Sequence, residues 1–163
     1  MDVLVMIKQQ LKAALLASIQ QEIDAALEAA EKARQDAAHK DNQPENQYDT
    51  LSLEAAYLAH GQSERILLLQ QDHITLGQWP TVEFTEDDEI ASGALVTLES
   101  QGQQRWVWIT PCRSRTLMLN DTSVQAVSVE TPLAQQLIGR AVGDEIALTA
   151  AAGSQSWEIL NVQ

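Results

Sequence analysis

Basic residues are scarce in this chain of 163 residues: ten Lys and Arg stand against 23 Asp and Glu, for a formal charge of -13. Affinity for a nucleic-acid backbone comes from Lys and Arg neutralising phosphates, so direct sequence-specific binding to DNA or RNA is not expected. Any such contact runs through a partner. Cysteine is nearly absent, and Cys112 alone cannot close an internal disulfide, which fits a reducing cytoplasm. Long apolar runs are missing too: none approaches the roughly 20 residues of a membrane span. The start MDVLVMIKQQ lacks the basic region and small-residue cleavage site of a signal peptide. The GxxxxGK(S/T), HExxH and GxSxG patterns do not occur. His39, His60 and His73 have no spacing that sets a metal on one helix face, and Cys112 has no visible His partner.

Alanine, by contrast, is concentrated early. Residues 1–60 hold 13 Ala, no Gly and only Pro44, which favours helix over strand. Leu11, Leu15, Ile19, Ile23 and Leu27 recur every four residues, and Ala26, Ala30, Ala33 and Ala37 continue the stripe with less volume. The spacing predicts a helix from about Val3 to Ala38, too long for a small globular domain unless its seam lies against another helix. His39 to Thr50 (HKDNQPENQYDT) interrupts the pattern with turn-forming residues. A second helix follows from Asp49 or Thr50 to about Ile74–Gly77, carrying Leu51, Ala55, Leu58, Ile66 and Leu69, with Gly61 as its weak point. Residues 1–75 thus read as an antiparallel helical hairpin, a coiled coil with its tip near 39–50.

Residues 76–93 read as an acidic linker, with Glu83, Glu86, Asp87, Asp88 and Glu89 as a solvated charge run. From 94 to 163 the pattern changes to short strands: ALVTLES and RWVWIT flank a turn at Gln101–Gln104, and further strands fall at Arg115–Leu119, Val124–Val129, Glu145–Leu148 and Trp157–Val162. Thr131 and Pro132 read as N-cap and first residue of a short helix that ends at Gly139. The fold class is α+β, a hairpin followed by a small, mostly antiparallel β domain with one short helix. Trp106 and Trp108 share one strand face, and sheet packing accounts for them better than a nucleic-acid stacking platform in so acidic a chain. Arg105, Arg113 and Arg115 are three of the four basic residues in this part, and read either as a positive edge for an acidic partner or as ordinary solvated charges.

The stretch TPLAQQLIGRAVGDEI, Thr131 to Ile146, resembles a pattern of the Gre transcript-cleavage factors of bacterial RNA polymerase: Ser-Pro, an apolar helix, Ile-Gly, then Val-Gly-Asp before a strand. WEILNV, Trp157 to Val162, is similar to the family's closing strand, and SERI at Ser63–Ile66 to its Glu-Gly-Arg-Ile, with Arg65 and Ile66 matched. The resemblance implies an N-terminal coiled coil joined to an FKBP-like globular domain that docks on core RNA polymerase, with Thr131, Pro132, Gly139, Val142, Gly143 and Asp144 as the motif residues. It further implies a tip that enters the polymerase's secondary channel. There two carboxylates help hold a Mg²⁺ shared with the polymerase active centre, and the factor has no cofactor or metal of its own.

The family tip reads Gly-Asp-Leu-Lys-Glu-Asn. Its best local match here, DNQPEN at Asp41 to Asn46, keeps Glu45 and Asn46 but sets Asn42 in the Asp place, while matching backward without gaps from Arg65 puts Glu45 in the Asp place and Tyr48 in the Glu place, so neither match recovers both carboxylates. Asp41, Glu45 and Asp49 are the candidate acidic cluster, with helix capping and solubility as the plainer reading. The expected function is a polymerase-binding elongation or regulatory factor, not itself an enzyme, with cleavage stimulation left open. The alternative is a coiled-coil interaction or homodimerisation protein that never enters polymerase. Prolyl isomerase activity would need an aromatic pocket around proline, for which residues 94–163 offer three Trp and no Tyr or Phe.

Overall fold

The structure, a computed structural model, describes the placement of residues 2–41 and 48–163; the side chains of residues 1–6, 37 and 39–59 are not described. Two helices come first, α1 (Asp2–Asp41) and α2 (Tyr48–Gln78), of 40 and 31 residues, and they make a helical hairpin. At 1.5 Å per residue they extend about 60 and 46 Å. Leu11, Leu15, Ile19, Ile23 and Ala26 of α1 are buried, as are Leu69 and Leu76 of α2. Leu27, expected on the stripe, is instead 49 % exposed. Each four-residue step overshoots a full turn by about 40°, so the series rotates out of the seam and Ala26 takes the place. The second helix runs unbroken through Gly61. The cost of about 1 kcal/mol for one interior Gly is outweighed by the burial of Leu69 and Leu76 further along.

Six strands follow: β1 (Leu95–Ser100), β2 (Gln103–Thr110), β3 (Arg115–Leu119), β4 (Thr122–Ser128), β5 (Glu145–Ala150) and β6 (Gly153–Val162), with α3 (Pro132–Leu137) between β4 and β5. They form one sheet in the order β3-β4-β2-β1-β6-β5. Four pairings are antiparallel, while β2 and β4 pair in parallel, Trp106 opposite Val124 through Thr110 opposite Ser128. The expectation of a mostly antiparallel sheet holds with that one exception. A parallel pair needs a crossover, and here the chain makes it through edge strand β3. Gln101 and Gly102 both have positive φ, as do Asn120 and Asp121, the requirement of tight two-residue hairpin loops whose twist matches the strands.

Both sheet faces are apolar. Val96, Leu98, Val107, Ile109, Val127 and Ile159 pack with Ala134 and Leu137 of α3 into the main core. On the other face Trp108 is 1 % exposed and its ring centroid lies 5.7 Å from that of Trp79. Ile7 and Leu11 of α1 enclose a cavity of about 210 Å³ there with Leu95, Trp106 and Val124.

This packing moves the domain boundaries. The chain divides into one unit of Leu16–Ile74 and another that joins the residues up to Leu15 to Thr75–Gln163. The start of α1 as far as Leu15, read from sequence as part of a hairpin over 1–75, therefore belongs to the sheet unit, with Ile7 and Leu11 against its second face. The segment 76–93 also differs from the solvated connector expected. Its carboxylates are exposed, but Ile90 is 1 % exposed, its N–H donates to Arg140 O, and its carbonyl accepts from Gly139 N. Leu11→Ala is expected to destabilise the sheet unit by about 2–5 kcal/mol, as buried Leu→Ala changes do. Urea unfolding followed by Trp fluorescence checks it, and an unchanged midpoint would mean that α1 does not cover the sheet.

Candidate functional site

The acidic candidates at the hairpin tip are only partly placed. Asp41 ends α1 and Asp49 lies in the first turn of α2, while Glu45, with Asn42 and Pro44, lies outside the described residues. Of the arm match, Arg65 is exposed and Ile66 half-buried on α2. Lower on α1, Arg34 donates to Glu31 through Nε and Nη2 at 3.1 and 2.8 Å, and these hydrogen bonds hold the Glu31 carboxyl below its usual range. Among the described residues no group of three or more His, Cys, Asp and Glu is arranged to hold a metal ion.

The motif residues of the sheet unit are close together, and their geometry is mostly structural. Thr131 caps α3: its Oγ1 accepts from Ala134 N at 3.3 Å and donates to Ser128 O at 2.8 Å, and Pro132 opens the helix where no N–H is needed. Gly139 follows the helix with φ +87, and Gly143 has φ +95, backbone angles that a side chain would strain. Between them Ala141 N donates to Asp144 Oδ2 at 2.9 Å. Gly143 N donates to Ile159 O, and Ile159 N to Asp144 O, so the loop is sewn to β6. Val142 packs half-buried against the core.

Beside α3 lies an open groove of about 560 Å³, lined among others by Arg105 of β2, Thr131, Pro132 and Leu133 at the start of α3, and Leu148 of β5. Arg105 Nη2 donates to Gln125 Oε1 at 2.7 Å, and its guanidinium lies 5.4 Å from the Trp157 ring centroid. Of the three arginines read as one group, Arg105 alone lines this groove. Arg113 is exposed, and Arg115 pairs opposite Ala126 in β3.

Sequence reasoning missed the two lysines at the start of α1. Lys8, 2 % exposed, donates through Nζ to Val82 O and Gly93 O, the latter at 2.9 Å, and lies 4.9 Å from the Phe84 ring centroid. Lys12 Nζ donates to Trp79 O at 2.6 Å. A signal was available, since Lys8 stands three residues before Leu11 on the buried stripe. Gly93, at φ +101, brings its backbone within reach, where a Cβ would lie 3.5–3.6 Å from Val82, Phe84 and Trp79.

Comparison with known proteins bears on this unit. The family model described as transcription elongation factor, GreA/GreB, C-term matches residues 85–163, from the acidic turn through α3 and the motif loop to the last strand. Residues 85–163 are a GreA/GreB C-terminal domain. Transcription elongation factor GreA of Syntrophus aciditrophicus is 26 % identical over 128 residues, 77 % of this chain and 73 % of the relative. GreA of Streptococcus thermophilus is 54 % identical over 37 residues, 23 % of each chain. Among solved structures, Gfh1 of Thermus aquaticus is 17 % identical with a TM-score of 0.41, covering 93 % of this chain and 95 % of that one. The family match starts inside the segment read from sequence as a linker, which agrees with the docking of Ile90 onto the motif loop.

Burial pushes the Lys8 ammonium down to about 8 from its ordinary 10.5, and the nearby Glu83 carboxylate pulls weakly the other way. Between those values the unfolded chain binds the proton and the folded chain releases it, so this group makes stability rise with pH from about 8 to 10.5. Below about 8 both states carry the charge and the cost of burying it is fully present. Lys8→Met is expected to remove this rise, so wild type should gain on the variant across that window in urea titrations. A constant difference between the two would place the Lys8 ammonium in water.

Proposed function

We propose that this Gre-family chain binds core RNA polymerase through the unit that carries residues 85–163 and regulates transcription through the enzyme's secondary channel. The observation that supports it is the Gre domain joined, in one chain, to a helical hairpin whose first helix runs 40 residues. The protein works in the cytoplasm beside polymerase and supplies no active site of its own. Any Mg²⁺ in the reaction sits in the polymerase active centre.

The tip chemistry favours occupancy of the channel over stimulation of transcript cleavage. Asn42 offers a neutral amide oxygen where the family carries a carboxylate, and Mg²⁺ prefers charged oxygen ligands. Proline at position 44 has a fixed φ and no N–H, unlike the lysine of the family pattern in that match. Asp41, Glu45 and Asp49 remain as differently spaced carboxylates that could alter substrate entry or metal occupancy.

A second reading, self-association through the hairpin, has one observation in its favour. Leu67, Leu68 and Ile74 of α2 are 65, 47 and 54 % exposed. Sedimentation across micromolar concentrations separates the two, because a monomer that still binds polymerase removes the dimer reading.

Added to backtracked elongation complexes with Mg²⁺, the protein is expected to bind yet release little or no 3′ RNA fragment. Strong release abolished by Glu45→Gln, with binding intact, would overturn the occupancy reading and make this a cleavage factor. Failure of the wild-type protein to bind core polymerase would overturn the polymerase assignment itself.

A further inference from the structure

The two edges of the sheet are finished differently. In the order β3-β4-β2-β1-β6-β5 each outer strand pairs on one side only. On β5 the exposed Glu145 stands opposite Glu158, itself opposite Glu99 of β1, and carboxylates at an edge blunt pairing with another chain. β3 has no such guard. Its residues are Arg115, Thr116, Leu117, Met118 and Leu119, with no Pro, Lys or carboxylate in a chain that holds 23 Asp and Glu. Met118 is 63 % exposed, and Thr116 on the same face is exposed too.

The register with β4 shows which backbone groups are unclaimed. Leu119 faces Thr122 across the turn Asn120–Asp121, Leu117 faces Val124 and Arg115 faces Ala126. Residues flanking a two-residue turn exchange both hydrogen bonds, and the alternation directs Leu119, Leu117 and Arg115 at β4. The N–H and C=O of Thr116 and Met118 therefore point off the edge, where among the described residues no further strand lies.

We infer that β3 is a self-association edge, along which two copies of this chain pair antiparallel over Arg115–Leu119 about a two-fold axis at Leu117. Thr116 of each copy then lies opposite Met118 of the other, and the two outward N–H groups of each meet the two outward carbonyls of the other. The two Met118 side chains become diagonal neighbours on one face. On the other face Leu117 meets its own copy, and the stem of Arg115 lies over Leu119 of the second molecule. Charge selects the same register. Molecules of formal charge -13 repel, but here Arg113 of each copy comes beside the Asn120–Asp121 turn of the other, so opposite charges meet at both ends of the pairing. A strand from a different protein has no such built-in match, whereas β3 contains its own complement.

Sedimentation velocity from about 1 to about 500 µM, with hydrogen exchange at both ends of that range and thermal melts, tests the pairing on wild type and Met118→Lys. Two five-residue strands make a small interface, so the dimer is expected on the order of tens of micromolar and above. Exchange at the Thr116 and Met118 amides should then slow about fivefold at the high concentration, while Ala147 and Thr149 on β5 do not change. Met118→Lys sets two ammonium groups diagonally across the pair at an exposed position, and it should stay monomeric with an unchanged melt. Pairing through the hairpin would leave both sheet edges exchanging as in the monomer. A dimer that leaves Thr116 and Met118 unprotected, or that persists in Met118→Lys, is held elsewhere and overturns the assignment. Wild type that stays monomeric throughout overturns it as well. If the variant's melt falls, the exchange pattern of wild type decides alone.

Discussion

A sheet that is apolar on both faces has to bury both, and most of this protein's globular architecture follows from that constraint. Along β2 the alternation is complete: Val107 and Ile109 join the core under α3, while Trp106 and Trp108 turn to the other side. The six residues of α3 can cover one face only. The second face is closed by residues outside the strand sequence, Ile7 and Leu11 of α1 and Trp79 just past α2. The sheet unit is consequently built from both ends of the hairpin segment, and the coiled-coil helix begins as a core element before it becomes an arm.

The anchoring lysines solve a problem that this arrangement creates. The chain from Trp79 to Gly93 belongs to no strand, so Trp79 O, Val82 O and Gly93 O have no ladder to pair with. Lys8 supplies donors to two of these, Val82 O and Gly93 O, and Lys12 to a third, Trp79 O. A buried ammonium without partners would be prohibitively costly; the carbonyls and the Phe84 ring face offset part of that cost, and the desolvation that remains is what lowers the Lys8 pKa. Met or Leu would fill the volume at position 8 and leave two carbonyls unpaired. That is the physical case for a charged residue on a buried stripe.

Much of the fold was legible in the sequence because its signals are local. Strand alternation, the hairpin turn and the Thr131–Pro132 helix start depend on neighbours a few residues away; the helix start stands where its pattern put it, and the turn lies within the stretch 101–104 read from sequence but is tighter, closing at Gln101–Gly102 so that β2 begins at Gln103. What was not legible depends on distant partners. The parallel pairing of β2 with β4 needs the β3 crossover, and the docking of Ile90 needs the Gly139–Arg140 backbone. The burial of Lys8 needs carbonyls more than 70 residues away. The run Glu83–Glu89 reads as a connector because charge is local, while Phe84 and Ile90 within and beside it are held by contacts that no window along the chain contains.

The residues that reveal the family and the residues that would carry its interactions are different sets. Gly139, Gly143 and Asp144 give the motif its recognisable form because they close a loop through backbone angles and hydrogen bonds to β6. A sequence can keep all of them while its exposed chemistry changes, since a turn constrains its own residues and leaves the partner-facing ones free. Arg105 shows that freedom: nothing in the motif requires it, yet it lines the groove beside α3 with Gln125 and Trp157 fixing its orientation. Alteration of Gly139 or Gly143 therefore probes whether the domain folds, and only changes at exposed positions such as the groove rim can report on what the domain holds.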